Sequence, residues 1–570
     1  MKISSRALTL SLTPCVVAIG ATAGSSALAN DLSHLRGLTG QAAIQAFRNA
    51  NPKLAKDHKT FCGTQDDAMT RAEKLLQEAT RRALADGDDP NGGVRTDENA
   101  DGVALFPNSA FVRRTRTETP VIFLDFEPDE GQLPTFEVDL VDAATNEVLN
   151  TFVLPDFVFQ PADRAFIRDR IAADLEPYGF RVVTERPAEG LFTEIEFANN
   201  DRTPGGRTNV TLFNNPDGST SFSILFGRAN EIDFADDNLD SGAFTDTSFW
   251  VVLQALFPAE TFQNFTGIVA DTNGDDIVDD DALRQAVLNQ GANTGIHEVG
   301  HTLGLRHHDS IGPFGFGLPT TGRPAPDAFV PEYTGSTDAF DTTRHIMASG
   351  ASVGLSLAGA TTVDRVFSQR SNLKLQLATR QSLFTTEEQL ERFNRFRTDF
   401  GDNRVINYLP AIPNYLTRRP GEADRPFTNH WFQGAIEGPD GADTYSFWAR
   451  RGDFITAEVI SFSDSNVTLG VLTELNIYEL DRQGNRTLVA SNAQTFEPFD
   501  PLVLDYEVTR NVRIVVEVVA PDRVFLDLNG DGVIPDSLVD AGFGALLAGE
   551  YDLLIYRGRK PNVQPPANGN

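Results

Sequence analysis

Cysteine, lysine and methionine are all scarce in this chain of 570 residues. Cysteine occurs only as Cys15 and Cys62. That excludes the multiply cross-linked scaffold of a small secreted domain. Seven lysines stand against 41 arginines. Basic charge is short altogether: 48 Lys and Arg face 80 Asp and Glu, a net charge of -32. Phosphate backbones repel such a surface, which argues against nucleic acid as a general partner. Long apolar runs are missing too. Beyond the N-terminus no stretch of about 18 uninterrupted apolar residues occurs, so no membrane anchor is expected. What is present suffices for folding. A hydrophobic fraction of 40% is too high for a disordered chain. At on the order of 100–200 residues per domain, two to four folded units are expected. An acidic, lysine-poor surface suits a saline or calcium-containing medium.

The N-terminus reads as a secretory signal. Lys2 and Arg6 precede a largely apolar segment from 7 to 20, too short to span a bilayer. Ala27-Leu28-Ala29 is a small-x-small cleavage site, so residues 1–29 are expected to leave and the mature chain to begin at Asn30. Secretion is the expected destination. Cys15 leaves with the signal, and Cys62 remains as the one thiol.

Residues 30–118 read as a helical leader, with Leu and Ala at helical spacing from Ala68 to Ala85 and an Asp, Gly and Asn-rich loop from 86 to 102. Val121 to Phe126 is a short apolar run after Pro120, the pattern of a buried strand. Residues 162 to 176 alternate at helical period and stop at Gly179. Strands are expected at 180–184, 193–197 and 221–225, giving a mixed sheet backed by a helix. A further helix is expected from Thr385, with Glu388 completing a capping box, to Gly401. After about 425 the helical pattern disappears. Strands are expected at 443–450, 453–460, 467–480, 502–508, 511–519 and 550–557, a β-sandwich over 425–558. Residues 559–570 read as a disordered tail. The fold class is therefore α+β, with a helical leader, a mixed-sheet unit over 119–415 and an all-β sandwich.

The strongest chemical signal is His297-Glu298-Val299-Gly300-His301-Thr302-Leu303-Gly304-Leu305-Arg306-His307. On a helix, positions i and i+4 share a face, so His297 and His301 can reach one metal ion. Glu298 stands one residue on, where it can hold a water. Gly304 can take a positive φ, end the helix and bring His307 back as a third ligand. Three imidazoles and one open position describe a catalytic zinc site. Zinc acidifies its water, Glu298 takes the proton as general base, and the metal polarises the scissile carbonyl.

This pattern resembles the metzincin clan of zinc endopeptidases, over about 119–415. The resemblance implies a Met-containing turn below the zinc, and Met347, forty residues past His307, is the residue that matches. It also implies peptide hydrolysis of protein or peptide substrates, with Glu298 returning its proton to the leaving amine. His308 follows the third ligand directly, but His307 keeps the family spacing. A serralysin-type Tyr two residues after Met347 is replaced by Ser349. Cys62, Gly63 and Asp66 match part of the matrixin latency segment, without its two Pro and its Arg. Cys62 is thus either a ligand that keeps the enzyme latent or a packed thiol.

Three segments have the Asp-x-Asn-x-Asp spacing of calcium loops: Asp97, Asn99, Asp101; Asp271, Asn273, Asp275; and Asp527, Asn529, Asp531. The last two carry Ala282 and Leu538 where an acidic twelfth ligand belongs. They are degenerate Ca2+ loops or solvated turns. The sandwich resembles the bacterial pre-peptidase C-terminal domain through Asp443 to Phe447, Arg451-Gly452-Asp453, Leu475 to Tyr478 and Gly549 to Leu553. That resemblance implies a role in secretion, stability or substrate attachment. The competing readings are a non-catalytic adhesin that binds through the sandwich, and a zinc hydrolase of a non-protein amide or ester.

Overall fold

The structure is a computed structural model that describes Ile44 and residues 59–62, 119–126, 135–198, 207–214, 220–230, 232–236, 241–312, 340–341, 345–348, six residues between 367 and 378, and 397–398, 404–409, 428–436, 441–461, 471–493, 500–520 and 549–559. Its elements run as follows. Strand β1 (Lys59–Cys62) precedes β2 (Val121–Asp125), then the hairpin β3 (Thr135–Asp142) and β4 (Glu147–Pro155). Helix α1 (Pro161–Leu175) leads to β5 (Arg181–Val183) and β6 (Thr193–Ala198). Strands β7 (Arg207–Asn214), β8 (Thr220–Ala229) and β9 (Gly242–Asp246) follow. Then come helices α2 (Ser248–Leu256), α3 (Ala259–Thr266) and α4 (Asp280–Thr302).

These strands form one mixed sheet in the order β4-β3-β7-β8-β9-β6-β2-β5, with β1 also pairing to β8. Pairs β2/β5, β2/β6, β6/β9 and β3/β7 are parallel, while β7/β8 and β8/β9 are antiparallel. Helix α1 starts where the sequence marks it. Pro161 fixes φ at the first turn, and Gln160 and Asp163 satisfy each other's backbone N–H groups in a capping box. Its Ile167, Ile171 and Leu175, spaced by four, are buried. Ile167, Ile171 and Phe197 press on α4 at Gly291 and Gly295, where a Cβ would stand 3.0 Å from the nearest side-chain carbon. Helix α4 is buried along most of its length, as a helix at the centre of a core must be.

Two short strands, β10 (Ile311–Gly312) and β11 (Phe340–Asp341), pair with each other. The C-terminal strands are β12 (Arg397–Thr398), β13 (Arg404–Leu409), β14 (Thr428–Ile436), β15 (Ala442–Ala449), β16 (Asp453–Ile460), β17 (Glu474–Leu480), β18 (Arg486–Asn492), β19 (Leu502–Glu507), β20 (Val512–Val519) and β21 (Gly549–Arg559). They form two five-stranded sheets, β12-β15-β20-β17-β18 and β13-β14-β21-β16-β19. Val512, Ile514, Val516 and Val518, alternate residues of β20, are all buried with Phe432, Ile455, Leu553 and Ile555 in one core. The two sheets are also stitched by hydroxyls: Tyr445 Oη and Tyr551 Oη lie 2.8 Å apart, and Tyr551 donates to Asp443 at 2.5 Å.

The chain is thus α+β, with four α-helices among the described residues. Two local expectations are corrected. In the segment read as a helical leader, Lys59–Cys62 is a strand paired in parallel with β8, and Ile44 alone is helical among the described residues there. In the helix expected from Thr385 to Gly401, Arg397 and Thr398 pair with Ser446 and Tyr445 of β15. Both errors have one cause: periodicity and capping are local, and an available sheet edge outweighs them. Sheet pairing also carries the sandwich back to Arg397, ahead of the residue near 425 where its pattern begins in the sequence. The signal segment and the tail from 560 lie outside the described residues.

Candidate metal centre

Helix α4 ends in a Schellman motif. Leu305 N–H donates to Gly300 O at 2.9 Å and Gly304 N–H to His301 O at 2.9 Å. Gly304 has φ +86°. A Cβ there would lie 2.7 Å from the Phe234 Cα, so glycine is required twice over, by conformation and by space. The turn sends the chain back into the helix end, and His307 joins His297 and His301. Their ligand atoms lie within 4.8 Å of one another, the one such group of metal-ligating side chains among the described residues. All three rings are buried.

The donors suit a metal ion. His297 Nε2 and His307 Nε2 stand 3.1 Å apart. Two nitrogens at about 2.0–2.1 Å from a tetrahedral ion would be separated by about 3.3 Å. The outer nitrogens are anchored. His301 Nδ1 meets Leu305 O at 2.8 Å, and His297 Nδ1 meets Ile346 O at 2.8 Å. Each carbonyl accepts a hydrogen bond from Nδ1–H, which keeps the proton on Nδ1 and leaves Nε2 as the lone-pair donor, the way outer partners set a ligand's tautomer.

Glu298 is buried beside this group. It packs on β8, where a Cβ on Gly227 would fall 2.5 Å from its Oε1. Met347 is buried too, and its sulfur sits on α4 at Gly300, in the turn of helix between His297 and His301. The residue before it, Ile346, supplies the carbonyl to His297, and His345 Nδ1 meets Ser310 O at 2.9 Å. The segment around Met347 therefore underlies the histidines from two directions.

Sequence reasoning missed a second buried group behind His307. Arg306 and Lys374 both reach Glu458 Oε1, each at 2.7 Å, and Lys374 also meets Asp309 Oδ2 at 3.0 Å. Burial alone would raise the Glu458 carboxyl, but Lys374 and Arg306 outweigh it and hold it at about 2. Burial raises Asp309, which Lys374 only partly offsets. One signal was readable: Lys374 is the only lysine between Lys74 and Lys560.

Of the remaining expected residues, Cys62 and the Asp271 loop are described and the others are not. Cys62 is on β1, its backbone in register with Gly227 of β8, the glycine beneath Glu298. Asp271, Asn273 and Asp275 form an exposed turn held by its own backbone. Asp271 accepts from Gly274 N–H at 2.6 Å and Asp276 N–H at 2.8 Å, and these bonds lower its pKa. Asp97, Asn99, Asp101, Asp527, Asn529 and Asp531 lie outside the described residues. No described helix is long and apolar enough to cross a membrane.

No protein-family model and no curated protein matches the chain. Among solved structures, it is similar to the module TmCBM61 in complex with β-1,4-galactotriose, at 12% identity over 29% of this chain and 90% of that one, with a TM-score of 0.15. It is similar also to the enzymatically active domain of tailspike protein 4 of bacteriophage CBA120, at 12% identity over 30% of this chain and 20% of that one, again with a TM-score of 0.15. Likeness at that level bears on neither fold nor function.

Proposed function

We propose that the chain is a secreted zinc-dependent endopeptidase of metzincin type. The observation that carries the reading is Glu298 buried next to three histidines that converge on one point. His297, His301 and His307 would hold the ion. Zinc, when bound there, supplies an acidified water and a polarised scissile carbonyl. Three imidazoles, with no fourth protein ligand grouped with them among the described residues, match the donor set of catalytic zinc rather than structural zinc. Glu298 accepts the proton of the attacking water and returns it to the leaving amine. Burial of the carboxylate against Gly227 restricts its side chain to one side of the helix, facing β8. Leu305 O and Ile346 O keep two ligands in the tautomer that binding needs. Met347 supports the helix from below.

The backbone of β1, running parallel to β8 beside Gly227, fits a leader that covers this strand until it is removed. Calcium is a proposal for the Asp271 loop alone among the described segments.

The test compares casein hydrolysis by the purified chain, after removal of its leader, with the Glu298→Ala variant, each with zinc content determined. The expected result is about one zinc in both and activity lowered by about 10²–10⁴-fold in the variant. Equal hydrolysis by both would remove Glu298 from the mechanism. Zinc in both and hydrolysis by neither would favour the adhesin reading.

A further inference from the structure

His297 and His301 are fixed by α4, but His307 follows the helix break and opens a single short 3-10 turn, His307–Ser310. What holds it is the turn from Arg306 to Ser310. Arg306 N–H donates to Asp309 Oδ2 at 2.7 Å, and Ser310 Oγ donates to His307 O at 2.7 Å. That turn is in turn held from outside. The Arg306 guanidinium lies 2.7 Å from Glu458 Oε1 and donates to Val459 O at 3.1 Å, both on β16 of the sandwich. Lys374 ties the other end, bridging Asp309 Oδ2 and the same Glu458 oxygen. Tyr556 on β21 donates to the second oxygen, Oε2, at 3.1 Å. Every one of these side chains is buried.

We infer that Glu458, on the C-terminal sandwich, is a positioning residue for the metal centre, acting through Arg306 and Lys374 on the turn that carries His307. The inference rests on the metal-centre reading above. A buried ion group is weak evidence for stability, since well-packed apolar side chains would join two domains as well or better. What charge adds is direction. Arg306 presents a planar fork that fixes its angle to β16, and Lys374 a compact cation that can serve two carboxylates at once. The contacts converge on a residue directly adjacent to a ligand, where a shift of a few tenths of an ångström would move an imidazole nitrogen. The sandwich is thus part of the metal site's support.

The test measures zinc affinity of the full chain by competition with a chromophoric chelator. Glu458→Gln keeps the size and removes the charge, and zinc binding should weaken by about 10–100-fold, the usual loss for an outer-shell partner. Glu458→Asp should recover part of that loss. Should Glu458→Gln fail to fold, the charge-balanced double variant Glu458→Gln/Lys374→Met gives the same readout and should show the same weakening. Tyr551→Phe, which breaks a buried network inside the sandwich, should lower the melting temperature and leave zinc affinity unchanged. Glu458 variants that bind zinc as tightly as the parent, or a Tyr551→Phe variant that weakens it equally, overturn the positioning role. A parent chain that takes up no zinc overturns the metal centre itself, and this inference with it. Casein hydrolysis does not enter the readout, so a failure of the protease reading alone is seen separately.

Discussion

At Gly227 an added methyl group would fall 2.5 Å from Glu298 Oε1 and 2.7 Å from Thr294 Cγ2. Neither neighbour is loose, since both side chains lie inside the core of α4. Gly227→Ala should therefore displace the carboxylate while leaving the three histidines in place. We expect zinc content to stay at the parent level and casein hydrolysis to fall by about 10²-fold, as for a displacement of about 1 Å at a reacting group. Unchanged hydrolysis would mean that Glu298 does its work from another position. The convergence of the three histidines was legible in the sequence because a helix turns the His297/His301 spacing into a shared face and Gly304 marks the turn that returns His307. Gly227 was not: a lone glycine in a strand has no signature until the opposing side chain is known. Glu458 was hidden for the same reason, since an acidic residue in an alternating strand reads as solvent-facing until Arg306 and Lys374 are placed beside it.

Among elements, β1 changes the picture most. Its four residues sit in parallel register with Ser223 to Gly227, along the strand that backs Glu298. A tethered strand holds such an edge at an effective concentration of order millimolar, which a diffusing peptide must match. If the leader keeps the enzyme latent through a thiolate at the open position, Cys62→Ser should raise hydrolysis by the chain that still carries its leader. The assay is casein cleavage before and after leader removal. Equal activity of the parent and Cys62→Ser before removal would leave the strand pairing as a packing feature. Elements with strong internal signals, such as α1 with its capping box and Gly179, emerged where expected. Strands β1, β12, β14 and β18 did not, because each is defined by the partner it pairs with rather than by its own alternation.

On the scale of the whole molecule, a net charge of -32 dominates. Self-repulsion of that size opposes the compact state, and salt relieves it. The melting temperature should rise as sodium chloride goes from about 0.01 M to about 1 M, over which the Debye length falls from about 30 Å to about 3 Å. Calorimetry at fixed pH measures it, and a flat response would show that the acidic groups are locally compensated. The all-β character of the C-terminal sheets was readable from the change of period near 425, but their junction with the histidine turn was not. It is made by buried charges, Arg306 and Lys374 against Asp309 and Glu458, and hydrophobic patterning is blind to those.

The bond from Arg306 to Val459 spans 153 residues. A ribosome adds about 5–20 residues each second, so the histidine helix emerges on the order of ten seconds before β16 does. During that interval the nascent chain would carry the three histidines without the carboxylate proposed to complete their support. On the proposed reading, order of synthesis acts as a timer: a centre built on His297, His301 and His307 gains that support only once β16 has been made.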